Sequence, residues 1–132
     1  MRRHLAPGGL FAFDVFAPEL ARCARAEEPE YEEERVADGD AEFITFTSLH
    51  RDVATQLMDV THRHVRMRHG VVVEEAVERY RMRWYHRYEL EHLLARAGFE
   101  VVAAYGDFDR KPFDRDAREM VFVARSCSSH RD

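Results

Sequence analysis

Hydrophobic positions in this chain change their spacing several times, and each change marks an element. Leu10-Phe11-Ala12-Phe13-Asp14-Val15-Phe16 is nearly continuous in apolar residues and follows the turn-forming Pro7-Gly8-Gly9. A short unbroken run of this kind predicts a strand buried on both faces, as inside a parallel sheet. A parallel neighbour is reached only through a crossover connection. Few residues precede Leu10, so the pattern predicts a chain that begins in the middle of a fold. Pro18 then opens a short helix over 19–25. The acidic stretch from Glu27 to Glu33 contains Pro29 and is expected to begin as a solvated loop.

From residue 30 the spacing becomes two. Glu30 to Val36 alternates, Asp38-Gly39-Asp40 is a hairpin signal, and Glu42 to Leu49 is rich in aromatic and β-branched residues. Gln56 to Met67 and Val71 to Trp84 are further strands, joined by a turn at His69-Gly70, with a bulge near Glu74. Consecutive strands with short turns make an antiparallel meander over 30–85. On the fourth strand Ala76, Glu78, Tyr80, Met82 and Trp84 share a face fit to cover a core, while Val77, Arg79, Arg81, Arg83 and Tyr85 share the other. The spacing turns helical over Arg87 to Ala97, where Leu90, Leu93, Leu94 and Ala97 form a stripe and Gly98 occupies a left-handed cap position. Phe99 to Tyr105 and Arg118 to Ala124 are strands, 106–116 is a polar loop containing Pro112, and 126–132 is a frayed tail.

Several of these segments, in this order, resemble class I S-adenosylmethionine-dependent methyltransferases. His4-Leu5-Ala6-Pro7-Gly8-Gly9 followed by Leu10–Phe16 is similar to the loop and fifth strand of that family. Tyr85-His86-Arg87-Tyr88-Glu89-Leu90, through Leu93-Leu94, to Ala97-Gly98-Phe99-Glu100-Val101 is similar to its helix-to-strand passage. Tyr105-Gly106-Asp107-Phe108 and Met120-Val121-Phe122-Val123-Ala124-Arg125 are similar to its last two strands and their turn. The resemblance implies an α/β fold: a partial Rossmann-like sheet of a strand, a helix and an antiparallel terminal hairpin, with the meander inserted. It implies a single domain over 1–132 that corresponds to the C-terminal half of such an enzyme. It also implies that the seventh strand lies between the fifth and sixth, which leaves one edge of Leu10–Phe16 uncovered. A homodimer, through that edge or through the meander, is therefore expected.

The family holds its cofactor with a Gly-rich loop after its first strand. Gly8, Gly9, Gly39, Gly70, Gly98 and Gly106 form no G-x-G-x-x-G pattern, so no loop offers the close backbone approach a nucleoside ligand needs. The expectation is a truncated methyltransferase-like protein whose parent family transfers a methyl group from S-adenosylmethionine to a small-molecule acceptor, and which is inactive and without that cofactor as this chain alone. The alternative is a non-enzymatic oligomerisation or ligand-binding module. A third reading makes Met1 an artificial or misassigned start.

The resemblance places Tyr85 and His86 at a junction facing the substrate cleft, where a histidine can act as a general base; both are candidate catalytic residues. The other reading packs them as helix-entry residues. Asp14 and Phe16 stand near the carboxyl end of the first strand, where ligands of open α/β sheets gather. Asp14 is the candidate toward cofactor and Phe16 toward acceptor; otherwise they serve backbone and core. Arg81 and Arg83 are candidates for binding an anionic acceptor through bidentate forks; the simpler reading pairs the arginine face with Glu30, Glu32 and Glu34 across strands. His62 and His64 share a face, but a metal site needs a third and fourth ligand, so they read as surface histidines and no metal is expected.

The 132 residues carry 20 Lys and Arg against 25 Asp and Glu, a net charge of −5, which argues against a general nucleic-acid surface. No apolar run approaches the roughly 20 residues that span a bilayer. Met1-Arg2-Arg3-His4 and the Asp14-containing segment after it make a poor signal peptide, so the expected setting is cytoplasmic, away from membranes. Cys23 and Cys127 are isolated and read as free thiols. Lys111 is the only lysine, which reflects either GC-rich coding or a use for guanidinium forks.

Overall fold

The computed structural model describes residues 4–127; the first three residues and 128–132, most of the expected tail, lie outside it. The elements are β1 Leu10–Phe16, α1 Leu20–Cys23, β2 Glu27–Asp38, β3 Ala41–Asp52, β4 Leu57–Arg68, β5 Val71–Arg83, α2 Arg87–Arg96, β6 Phe99–Tyr105 and β7 Glu119–Ser126. They divide into two compact units, one holding the chain up to Glu19 and from Trp84 onward, the other Leu20–Arg83. The architecture is the expected mixed α/β fold: a partial Rossmann-like sheet and an antiparallel meander.

In the first unit the strand order is β1-β7-β6. β7 is antiparallel to both neighbours, so β1 and β6 run parallel to each other with β7 between them. One face of this sheet is the core. Phe11, Phe13 and Val15 lie across from Ala124, Phe122 and Met120, and α2 lays Leu90 and Leu94 on the same cluster with Phe99. Phe122 is 0% exposed, and its ring stacks on Phe13 with centroids 5.6 Å apart. Helix α2 ends through Ala97, and Gly98 supplies the left-handed residue, φ 80°.

Two expectations for this unit are corrected. β1 is not buried on both faces: its exposure alternates and Leu10 is 56% exposed. A run apolar at nearly every position carries no period, so it cannot reveal that α2 covers one side and that, among the described residues, β7 is the only strand paired with it. The stripe on α2 is also narrower than its sequence, because Leu93 is 47% exposed and only Leu90 and Leu94 are buried.

The second unit is the meander β2-β3-β4-β5, antiparallel throughout. Its hairpins use the expected turns. His69 and Gly70 have φ 49° and 77°, the pair of positive angles that a tight turn matched to strand twist requires. Met67 faces Val72 and Arg66 faces Glu74, so Val73 is the extra residue of a bulge beside Glu74. The buried apolar residues come from β3 and β4, namely Ala41, Ile44, Leu49, Met58, Val60 and Val65. Beside them the Arg51 side chain, 3% exposed, bonds the Glu28 carboxylate and the Arg25 carbonyl.

Here three expectations give way. β2 begins at Glu27 rather than after an acidic loop. Pro29 sits where the pairing with β3 skips from Glu28 to Tyr31, and an edge strand tolerates the missing N–H at such a bulge. The glutamates of β2 do not meet the arginines of β5, because β3 and β4 lie between them. Glu30 instead binds Arg63, Glu32 binds Arg35, and Arg81 binds Asp59 directly opposite on β4. Finally, the face expected to cover a core does so only at its end: Ala76, Glu78 and Tyr80 are exposed, Met82 is partly buried and Trp84, just past β5, is 3% exposed.

Replacing Phe122 with alanine is expected to lower stability by about 3–5 kcal/mol, measured by urea unfolding. Glu28→Gln is expected to cost about 3 kcal/mol, because it strips the carboxylate from a buried guanidinium. The Glu28 carboxyl is held below its ordinary 4.5 by its bonds to Arg22 and then Arg51, against a cost from burial. Its contribution is therefore full above about pH 4.5 and disappears as pH falls through the lowered value. An acid-unfolding profile unchanged by Glu28→Gln would contradict this.

Candidate functional site

Parallel β1 and β6 bring Phe16 and Tyr105 to one end of the first unit's sheet. Helix α2 passes through Gly98 into β6 and packs on it, which directs the helix N-terminus toward that same end. His86 is the residue before the helix. It is exposed, its N–H donates to the Glu89 carboxylate at 3.2 Å, and its carbonyl accepts from Leu90 at 3.1 Å. Tyr85 packs against the core cluster, as does Phe113. The Arg87 guanidinium lies 5.6 Å from the Phe113 ring and bonds Glu91 at 2.9 Å. Tyr85 is thus held by packing, while His86 is exposed and its side chain closes the capping box by accepting from the Glu89 N–H.

Asp14 and Phe16 share the face of β1 opposite the core, across from Val121 and Glu119. Glu119 is the residue sequence reasoning missed. Burial pushes its carboxyl above the ordinary 4.5, and the charges of Asp14 and Asp107 push the same way. This end of the sheet is therefore acidic on the face that α2 leaves uncovered. Glu119 belongs to no motif; only the hairpin register that sets it across from Phe16 reveals it.

Arg81 and Arg83 lie in the other unit, so the six sequence candidates divide between the units: Asp14, Phe16, Tyr85 and His86 in the first, Arg81 and Arg83 in the second. Asp59 takes both nitrogens of the Arg81 fork, at 2.6 and 3.0 Å. Arg83 is exposed at the end of β5.

The meander also carries a hydrogen-bonded row that the alternation of β4 only hints at. The Thr47 hydroxyl, on a residue 2% exposed, donates to Glu33. It can then only accept from His62 Nδ1, 2.7 Å away. That places the proton of neutral His62 on Nδ1, so Nε2 accepts from the Tyr80 hydroxyl at 2.8 Å. Burial, with the charges of Glu78 and Glu33, raises the Tyr80 phenol above its ordinary 10.0, so it stays a donor. His64 touches Thr45 at 3.2 Å. Among the described residues no group of three or more His, Cys, Asp or Glu is placed to hold a metal ion. The two histidines instead knit three strands, and cross-strand threonines were the missing signal.

A nucleoside cofactor asks for glycines at a strand-to-helix junction. The glycines with positive φ here are Gly8, Gly39, Gly70 and Gly98, which serve the lead-in to β1, two hairpin turns and the end of α2. Gly9 makes a turn so tight that a Cβ there would meet the Ala6 carbonyl at 2.8 Å. The residues present do not supply a cofactor cradle. No helix among the described residues is long and apolar enough to cross a membrane.

No protein-family model matches the chain, and no curated protein matches it in sequence. Solved structures do. The CcbJ methyltransferase of Streptomyces caelestis is similar at 26% identity and TM-score 0.74, over 96% of this chain and 50% of its own. An S-adenosylmethionine-dependent methyltransferase of Clostridium acetobutylicum gives 12%, 0.72, 96% and 48%. An S-adenosylmethionine-bound amino pentose methyltransferase of Micromonospora echinaspora gives 18%, 0.63, 95% and 47%. The chain therefore has the fold of part of a methyltransferase and spans about half the length of each of these proteins.

Thr47→Val removes the hub of the polar row and leaves Glu33 and His62 without their shared partner. It is expected to cost about 1–3 kcal/mol in urea unfolding. Thr45→Val, which removes a single longer contact to an exposed histidine, is expected to cost about 0.5 kcal/mol. Nitrogen shifts should report neutral His62 protonated on Nδ1, and an Nε2–H tautomer would contradict the assigned direction.

Proposed function

We propose that this chain is the C-terminal half of a class I S-adenosylmethionine-dependent methyltransferase-like protein, whose parent activity is methyl transfer to a small molecule. The observation that carries the reading is the first unit's topology: a last strand inserted antiparallel between two parallel strands, with a helix leading into the outer one. Methyl transfer from a sulfonium needs aligned reactants and a place for the acceptor's proton, not a covalent intermediate. In the whole protein this half supplies the acceptor side. His86 takes the proton, Tyr85 holds the helix head, Phe16 contacts the acceptor, and Asp14 lies toward the cofactor. In the second unit Arg81 and Arg83 are candidates for an anionic group; Arg81 has to leave Asp59 to bind one. The acidic trio Asp14, Asp107 and Glu119 suits an acceptor bearing an amine.

Without a cradle, the isolated chain does not bind the cofactor and is inactive. That same feature favours the second reading, a non-enzymatic oligomerisation or ligand-binding module. Titration calorimetry of the chain with S-adenosylmethionine is expected to show no micromolar binding; such binding would overturn the claim. A chimera placing the first half of the Streptomyces caelestis methyltransferase before Leu5 is expected to bind the cofactor and transfer methyl groups. His86→Ala in that chimera should lower kcat by about 10²–10⁴. A chimera that binds cofactor yet methylates nothing would favour the module.

A further inference from the structure

The meander has two edge strands, and they are built differently. β2 is interrupted by Pro29 and by two register shifts, devices that stop an edge from pairing with another chain. β5 has thirteen residues with one bulge near its start and no proline. All of β5 except Met82 is exposed, Val77 by 45% and Val71 by 63%. Among the described residues no backbone hydrogen bond from outside the sheet reaches it.

Its charges are polarised along its length. Glu74, Glu75 and Glu78 precede Arg79, Arg81 and Arg83. An identical strand laid antiparallel reverses this order, so the edge is complementary to itself, as an isologous interface must be. We infer that β5 pairs with β5 of a second copy of this chain, around a twofold axis at Val77.

Register selects that axis. A twofold normal to the sheet keeps each residue on its own face, so directly opposed residues differ by an even number. With the axis at Val77, Glu75 opposes the second copy's Arg79 twice over, and Ala76 opposes Glu78. An axis at Glu75, Glu78 or Arg79 sets that residue against its own twin. An axis at Ala76 sets Glu74 against Glu78, and one at Tyr80 sets Arg79 against Arg81. Val77 alone in this stretch avoids opposed like charges, which destabilise a sheet pair. The charges are also available: Arg79 has no ion pair among the described residues, and Glu75 has one contact, 3.9 Å from Arg63.

The free edge of β1 has no comparable selection, since Asp14 is its single charge. The inference does not rest on the methyltransferase reading.

Sedimentation equilibrium of the full chain over a concentration series is expected to show a reversible dimer, with amides from Glu75 to Arg81 gaining exchange protection as concentration rises. Val77→Lys, at an exposed position, should abolish the dimer with the circular dichroism spectrum unchanged. Glu75→Arg and Arg79→Glu should each weaken it by about tenfold or more, and the double swap should restore it. Ala12→Lys on β1 should leave it intact. A monomer at every concentration would overturn the inference. So would a dimer lost in Ala12→Lys but kept in Val77→Lys, or a double swap that fails to rescue.

Discussion

Hydrogen bonding of β7 along both of its sides is the constraint on which the first unit depends. β1 and β6 are far apart in sequence and, among the described residues, share no neighbouring strand except this one. Because β7 runs against both, it makes them parallel without a direct crossover between neighbours. That brings the chain's two forward-running strand ends to one edge. Its core-side residues Met120, Phe122 and Ala124 are all 0–1% exposed, so the strand that fixes topology also carries the packing. The positions of His86, Phe16 and Glu119 at one end of the sheet follow from it.

The sequence made legible what depends on local period and turn chemistry. Phe99–Tyr105 was readable to the residue, and both the His69-Gly70 turn and a bulge near Glu74 followed from alternation and backbone sterics. What it hid depends on partners. β1 is apolar at almost every position, so nothing in it says that only one face is covered. Leu93 has the spacing of a core residue and stands in solvent, since the sheet beneath α2 is only three strands wide. Of the candidate site, His86 at the head of α2 was visible as a position. The raised Glu119 carboxyl was not, because burial and two neighbouring charges made it so.

The polar row through Glu33, Thr47, His62 and Tyr80 shows how the meander differs from the first unit. A four-stranded sheet with so little cover cannot rely on apolar burial alone. Its neighbouring strands are locked instead by hydrogen bonds whose direction is determined end to end, because the Thr47 hydroxyl has a single proton and Glu33 takes it. Unlike an exposed ion pair, usually worth about 0–1 kcal/mol, a buried hub left without partners is costly. Register in β3 and β4 is thus enforced by polarity as much as by Leu49 and Val60.

Near-exclusive use of arginine looked compatible with anion capture, and the structure gives several of those guanidinium groups another use. Arg63 lies 4.4 Å from the Phe46 ring while both its Nε and one Nη bind Glu30. Arg22 and Arg51 share Glu28, and Arg81 grips Asp59. A planar fork can stack and bind two oxygens at once, which an ammonium cannot. Forks already filled by the protein's own carboxylates are poor anion sites. Of the arginines on the meander's strands, Arg79 and Arg83, both on β5, have no ion pair among the described residues. The physical question for this protein is therefore less which anion its arginines bind than what meets the one edge on which they remain unanswered.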